Sequence, residues 1–305
     1  MTREPKTTID WLRFRTRAEP GEVVKAMGPM FGGMGQHLRL GQPGRGLFGF
    51  LHSMPILMAD VPVARVDFGG ASQREWMRVE VPGRGCQWVE DWDALAAVED
   101  LPASELKRTD IALTTWKGEM THEKVVEAHA AGRFTHKGRP PNLREITNSD
   151  PTAGRTCYVG QRTADKFLRC YEKGYELASK CPGLTHVDGY AIEDIYRVEL
   201  ELKASTTELP WDVVHRRDQY FAGAYPFCGD ILPGVEADIL QRRPEKAPQR
   251  DLAAALANVR IQYGATLYTA LHAYQGDIGA VWDLVVGDKH NPTLLEAGVL
   301  LVDHD

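Results

Sequence analysis

Three short stretches constrain this chain more than any other feature: Arg108-Thr109-Asp110-Ile111-Ala112, Arg169-Cys170-Tyr171-Glu172-Lys173 and Arg197-Val198-Glu199-Leu200-Glu201. Each alternates polar and apolar residues, the period of a half-buried strand. In the last, Val198, Leu200 and Leu202 point one way, and Arg197, Glu199, Glu201 and Lys203 the other. In the second, Arg169, Tyr171 and Lys173 share a face; in the first, Arg108 and Asp110 do. If the three pair in one sheet, its polar face gathers a tyrosine, several cations and several carboxylates. A merely solvated face needs no such mixture, whereas a metal-dependent site for phosphate-backbone chemistry does.

The rest of the chain reads as mixed structure. Strands are expected over 8–15, 63–69, 76–81, 107–115, 143–147, 154–162, 166–173 and 190–204. Helices are expected over 21–30, 90–101, 121–131 and 211–220. Strands so clustered, with few helices between them, predict an α+β fold with an antiparallel β-sheet core and flanking helices. Residues 28–46 hold seven glycines and read as a flexible loop. The chain divides on paper into residues 1–241, a proline-containing charged linker at 242–250, and a C-terminal helical extension over 251–305. In that extension a helix is expected at 251–275, stopped by Gly276, with shorter ones at 278–286 and 293–301. No exact repeat and no low-complexity segment is found.

Composition narrows the class. No apolar run reaches the ~18 residues of a membrane span, and Met1-Thr2-Arg3-Glu4-Pro5 is no signal segment, so a cytoplasmic protein that stays off membranes is expected. The five cysteines form no Cys-x-x-Cys pair, which speaks for free thiols rather than a disulfide framework. No Walker A motif occurs, and no GxGxxG follows a strand. The net charge of −6 hides an asymmetry. Residues 133–173 carry nine Lys/Arg against four Asp/Glu, and residues 250–305 carry three against seven. A basic centre suits a polyanion. Arg139, Arg155, Arg162 and Lys166 fall in it and are candidate DNA contacts.

The chain also carries a series of short motifs in order. They are Ile9-Asp10-Trp11, Arg108-x-Asp110-x-Ala112, Gly138-Arg139-Pro140-Pro141 and Gly154-Arg155-Thr156-x-Tyr158-Val159-Gly160. Then come Lys166-Phe167-x-Arg169-x-Tyr171-Glu172-Lys173-Gly174, Arg197-x-Glu199 and Gly223-Ala224-Tyr225-Pro226. Over roughly residues 8–226 this order resembles the replication initiation factor family, the rolling-circle replication initiators of filamentous phages and plasmids. The resemblance implies a bacterial host cell and an enzyme that nicks one strand of origin DNA. A tyrosine becomes joined to the 5′ phosphate, and the enzyme religates to end replication. It puts that tyrosine at Tyr171. It puts a divalent-metal site, for Mg²⁺ or Mn²⁺, on Asp110 and Glu199, with Glu201 or Glu172 completing it. It implies origin DNA as partner, double-stranded, hairpin or single-stranded. It also implies a host helicase or replisome; the acidic C-terminal helices are the candidate surface for that partner or for self-association as a homodimer, the oligomeric state staying open.

The chemistry can be weighed on its own. A phenol titrates near ~10 and is a poor nucleophile at neutral pH unless activated. Arg169 and Lys173, two residues to either side of Tyr171, are the expected activators. Arg108 and Arg197 are expected to grip non-bridging phosphate oxygens. Hard cations suit carboxylate oxygens, and the ten histidines contain no His-hydrophobic-His triplet that would build a histidine metal site instead. Tyr175 reads as a packing residue rather than a second nucleophile. Two other readings stay open at this point: a non-enzymatic DNA-binding protein on the same scaffold, and a metal-dependent nuclease without a covalent intermediate.

Overall fold

The alternating stretches become neighbours in one antiparallel sheet. The computed structural model describes residues 6–135, 138–205, 208–240, 252–291 and 294. The ten main strands are β1 (Thr8–Thr16), β2 (Leu38–Leu40), β3 (His52–Met58), β4 (Val61–Phe68), β5 (Met77–Val81), β6 (Glu105–Thr115), β7 (Leu143–Ile146), β8 (Thr156–Val159), β9 (Lys166–Tyr171) and β10 (Tyr196–Lys203). They lie in the order β2-β3-β4-β5-β1-β6-β10-β9-β8-β7, with Gly44–Arg45 pairing onto β3 off that line. The antiparallel α+β architecture is thus as the sequence implies.

Strand alternation sorts the sheet into two unlike faces. Leu12, Phe14, Val66, Val79, Ile111, Leu113, Leu168, Cys170, Val198 and Leu200 join one buried apolar core. Val23 and Met27 of α1 (Pro20–Met27), Val125 of α2 (His122–Ala130) and Phe221 of α4 (Arg217–Ala224) belong to the same core. Helix α2 starts where its cap residue dictates: the Thr121 hydroxyl accepts from the Lys124 amide at 3.3 Å. The opposite face of the sheet carries the charged residues.

Some expectations shift. The glycine-rich segment is ordered structure rather than a flexible loop: Gly28–His37 winds as 3₁₀ turns and leads into β2. A Cβ on Gly35 would stand 1.8 Å from the Gly28 carbonyl oxygen, so glycine is there for close backbone approach. The expected helix at 90–101 is a 3₁₀ turn followed by one α-turn at Ala96–Glu99. The β9 strand ends at Tyr171, and helix α3 (Lys173–Lys180) begins two residues later.

By its contacts the chain falls into two units, Met1–Arg243 and Pro244–Asp305. The second contains α5 (Leu252–Ala273) and α6 (Ile278–Val285), joined through Gly276 at φ 87°. The Asp277 carboxylate caps α6 by accepting from the Ala280 amide at 3.0 Å. The linker at 242–250 lies outside the described residues, as does the helix expected at 293–301 apart from residue 294. Among the described residues no helix is long and apolar enough to cross a membrane.

Candidate active site

Register assembles the site from strands far apart in sequence. On the polar face Asp110 pairs with Glu201, Ala112 with Glu199 and Thr114 with Arg197, across β6 and β10. Glu199 pairs in turn with Arg169 and Arg197 with Tyr171, across β10 and β9. Directly opposed residues share a face, so Asp110, Glu199, Glu201, Arg169, Arg197 and Tyr171 stand together. Asp10, Trp11, Arg108, Arg162 and Phe167 join Asp110, Arg169, Glu199 and Glu201 around a cavity of about 310 Å³. A second cavity, of about 270 Å³, lies on the other side of Arg169 and Tyr171 and is lined by Arg155, Thr156, Tyr158, Glu172 and Glu176.

Asp110, Glu199 and Glu201 are all buried, yet each meets a cation. Arg108 is bidentate on Asp110, at 2.8 and 2.6 Å, and reaches Glu201 at 2.8 Å. Lys203 also pairs with Glu201. One guanidinium nitrogen of Arg169 meets both oxygens of Glu199, each at 2.7 Å. The Tyr171 hydroxyl donates to Glu199 at 3.4 Å. Burial pushes the Asp110 carboxyl up to about 7, with Glu199 and Glu201 adding to the rise and Arg108 opposing it. The three carboxylates form an all-oxygen donor set, which suits a hard divalent cation. Such a cation competes with Arg108, Arg169 and Lys203 for the same oxygens.

The tyrosine's environment differs from the expectation. Burial, then the Glu199 carboxylate, pushes the Tyr171 phenol well above its usual value; Arg197 and Arg169 pull it down by less. Lys173 is not on the strand face at all. It opens α3, pairs with Glu176, and holds its ammonium 5.7 Å from the Tyr171 ring centre. Burial, then Arg197, lowers its own pKa. Helix α3 begins so abruptly because Gly174 lies against the next turn: a Cβ there would be 1.8 Å from the Ile192 carbonyl oxygen.

The other expected residues divide. Arg197 donates to the Thr114 hydroxyl at 2.9 Å and meets Asp10 at 3.3 Å. Arg162 lines the first cavity. Arg155 lines the second, bound to Glu172 at 2.8 Å and to Glu123 at 2.5 Å, which removes Glu172 from the carboxylate cluster. Arg139 is exposed in the loop before β7 and lines neither cavity. Lys166 is a correction: it shares parity with Leu168 and Cys170, so it turns to the apolar side, donating to the Ala224 carbonyl at 2.5 Å beside the Tyr225 ring. Asp10 joins the site without any charge pattern to announce it; its one sequence signal is its place in the first of the ordered motifs. The described residues also bring His122, Glu145 and Cys157 together, with ligand atoms within 4.8 Å of one another. That softer donor set lies behind the sheet, and burial followed by the Glu145 charge pushes the Cys157 thiol up to about 12.

The fold has a counterpart among solved structures, and part of the chain matches a known family. Residues 104–250 match the family model for the replication initiation factor, which bears out the resemblance drawn from the motifs. Among solved structures the chain is similar to the rolling circle replication initiator protein from Geobacillus stearothermophilus. The two are 19% identical with a TM-score of 0.55, over 77% of this chain and 99% of that one. No curated protein matches the sequence.

Proposed function

We propose that this chain initiates rolling-circle DNA replication by nicking one strand of origin DNA with Tyr171 and later religating it. The observation that carries the reading is the register that sets the Tyr171 hydroxyl on Glu199, beside Arg169 and Arg197 and next to three buried carboxylates.

With a phosphodiester at the mouth of the first cavity, Arg169 and Arg197 hold its non-bridging oxygens. Glu199 takes the Tyr171 proton as the phenolic oxygen attacks phosphorus. The bond from phosphorus to the 3′ oxygen breaks, and that oxygen takes up a proton from solvent. The 5′ end is left as a phosphotyrosine, which keeps the energy of the broken bond, so religation is the same path reversed. Asp110, Glu199 and Glu201 would hold Mg²⁺ or Mn²⁺, which when bound neutralises charge building up on the phosphate. A phenol is protonated at neutral pH and burial raises Tyr171 further, so the reading needs a base next to it. Arg155 and Arg162 extend the grip on DNA to either side. The reading places origin DNA as the partner, the host cytoplasm as the setting, and residues 245–305 as the surface for self-association or a helicase. Deleting those residues should spare nicking.

The test is supercoiled plasmid carrying the origin, Mg²⁺ or Mn²⁺, and the wild type beside Tyr171→Phe on a denaturing protein gel. A nuclease-sensitive adduct made only by wild type is expected. Nicking by both without an adduct would mean a metal-dependent nuclease. Binding without nicking would mean a DNA-binding protein on this scaffold.

A further inference from the structure

The sheet repeats itself. Outward from the antiparallel β1–β6 pair the order is β5-β4-β3-β2 on one side and β10-β9-β8-β7 on the other. In each half the first strand is central. A helix (α1 or α2) then leads to the outermost of the five strands, and three more strands return to the middle. The registers coincide residue for residue. Arg65 opposes Glu80 and Asp67 opposes Arg78, as Arg169 opposes Glu199 and Tyr171 opposes Arg197. On the central strands, Arg13 opposes Glu80 as Ala112 opposes Glu199, and Arg15 opposes Arg78 as Thr114 opposes Arg197. Arg78-Val79-Glu80 even repeats the letters of Arg197-Val198-Glu199. Trp11 pairs with Asp110, its own counterpart, so the local twofold passes beside the catalytic cavity that both residues line.

What changed between the halves is the chemistry. The tyrosine position holds Asp67. The positions of Asp110 and Glu201 hold Trp11 and Pro82. Two positions that are uncharged in the carboxyl half, Ala112 and Thr114, hold Arg13 and Arg15. Three carboxylates against three guanidiniums (Arg108, Arg169 and Arg197) have become two against four, Ile9 standing where Arg108 does. Asp67 and Glu80 are taken up by Arg65 and Arg78, with Arg78 on Asp67 at 2.6 Å and Arg65 on Glu80 at 3.1 Å. Arg15 meets Glu105 at 2.7 Å and lies over the Trp76 ring. Arg13 differs. It is half-buried, opposes Arg108 across the strand pair, and makes no ion pair with the described residues. Burial, then Arg78 and Arg108, lowers its pKa. Glu80, directly across the strand pair, and Asp110 pull the other way by less, and neither closes an ion pair on this guanidinium among the described residues.

We infer that the amino-terminal half is a retired copy of the catalytic half, which grips a backbone phosphate of the same DNA strand through Arg13 and has lost the means to cut it. The inference rests on the nicking reading for the identity of the strand. Arg108, adjacent to both Arg13 and the first cavity, makes the path from one copy to the other continuous.

The experiment is fluorescence anisotropy of the full chain with a fluorescein-labelled single-stranded oligonucleotide, roughly 20 nucleotides long, across a salt series. Arg13→Gln should weaken binding about tenfold, the effect of one charge-assisted contact. It should also make the logarithmic salt dependence shallower by about 0.7, the release expected for one phosphate on a single strand. Arg13→Lys should restore most of the slope. Arg39→Gln, which removes the same charge from an exposed pair with Asp60, should change neither. Wild-type affinity and slope in Arg13→Gln would overturn the inference, and so would an equal loss in Arg39→Gln. A wild type that binds, is weakened by Arg13→Gln and never nicks would uphold this site while removing the nicking reading.

Discussion

The two halves of the polar face hold the same kind of ions in the same register and put them to different use. In the amino half Asp67 is fully buried and shared between Arg65 and Arg78, and Glu80 closes the ring of charge. In the carboxyl half Arg108, Arg169 and Lys203 hold three carboxylates around a cavity, with a phenol at its edge. The first arrangement is closed; the second has room for a substrate. Ion pairs by themselves do not mark an active site. An ion cluster with space beside it and a phenol on its rim makes a candidate one.

The largest expected effect separates the halves at once. Tyr171→Phe should lower nicking by at least about 10⁴-fold, since the nucleophile itself is removed. Its thermal midpoint should stay near that of wild type, as only one hydroxyl is lost. Nicking within tenfold of wild type would move the nucleophile elsewhere. Glu199→Gln keeps the shape and loses the base, and should cost about 10²- to 10⁴-fold in single-turnover nicking. An unchanged rate would remove Glu199 from the chemistry. In the closed half the corresponding damage should appear as stability. Asp67→Asn leaves Arg78 short of its buried partner and should cost about 3 kcal/mol in urea unfolding. Its nicking per folded molecule should fall far less than that of Glu199→Gln. The reverse outcome, a stable protein with poor nicking, would make the amino half catalytic.

The smallest effect belongs to the connector between the halves, where His215 pairs with Glu99 at 2.5 Å and with Asp93 at 3.5 Å. Burial alone would lower this imidazole, but the two carboxylates outweigh it and its pKa is raised. Its stabilisation should therefore be complete below the ordinary value of about 6.5 and lost as pH climbs through the raised one. Partial exposure should keep it below about 1 kcal/mol. Unfolding of His215→Gln across pH 5 to 9 should lose that slope, and a retained slope would assign it to other groups.

Much of the carboxyl half was legible because alternation survives in β6, β9 and β10 and places each charged side chain by parity. The parity of Lys166 was equally legible, and it pointed away from the polar face. Lys173 was misplaced for a different reason. Nothing in Tyr171-Glu172-Lys173 breaks the strand, and the helix starts there because Gly174 fits under the Ile192 carbonyl, a tertiary contact. The tyrosine's surroundings were read from sequence neighbours as cationic. Its strongest influences are burial and a glutamate 28 residues away, which pairing alone brings close. The internal repeat went unseen because the connections differ. Residues 69–76 join β4 to β5 through a single 3₁₀ turn, while α3 and a small hairpin fill the equivalent span before β10. What is conserved between the halves is register, which a string of letters does not display.

The β1–β6 pairing has a consequence for any attempt to work with one half. An antiparallel pair about a local twofold is the contact that two separate identical half-sheets would make edge to edge. A fragment beginning near residue 104 would bare the inner edge of β6, eleven residues long, and an edge of that length seeks another strand. Such a fragment should associate with itself through β6, placing two tyrosines on one sheet. Joining two half-sheets in one polypeptide fixes that association permanently and leaves one tyrosine beside one carboxylate-lined cavity per sheet.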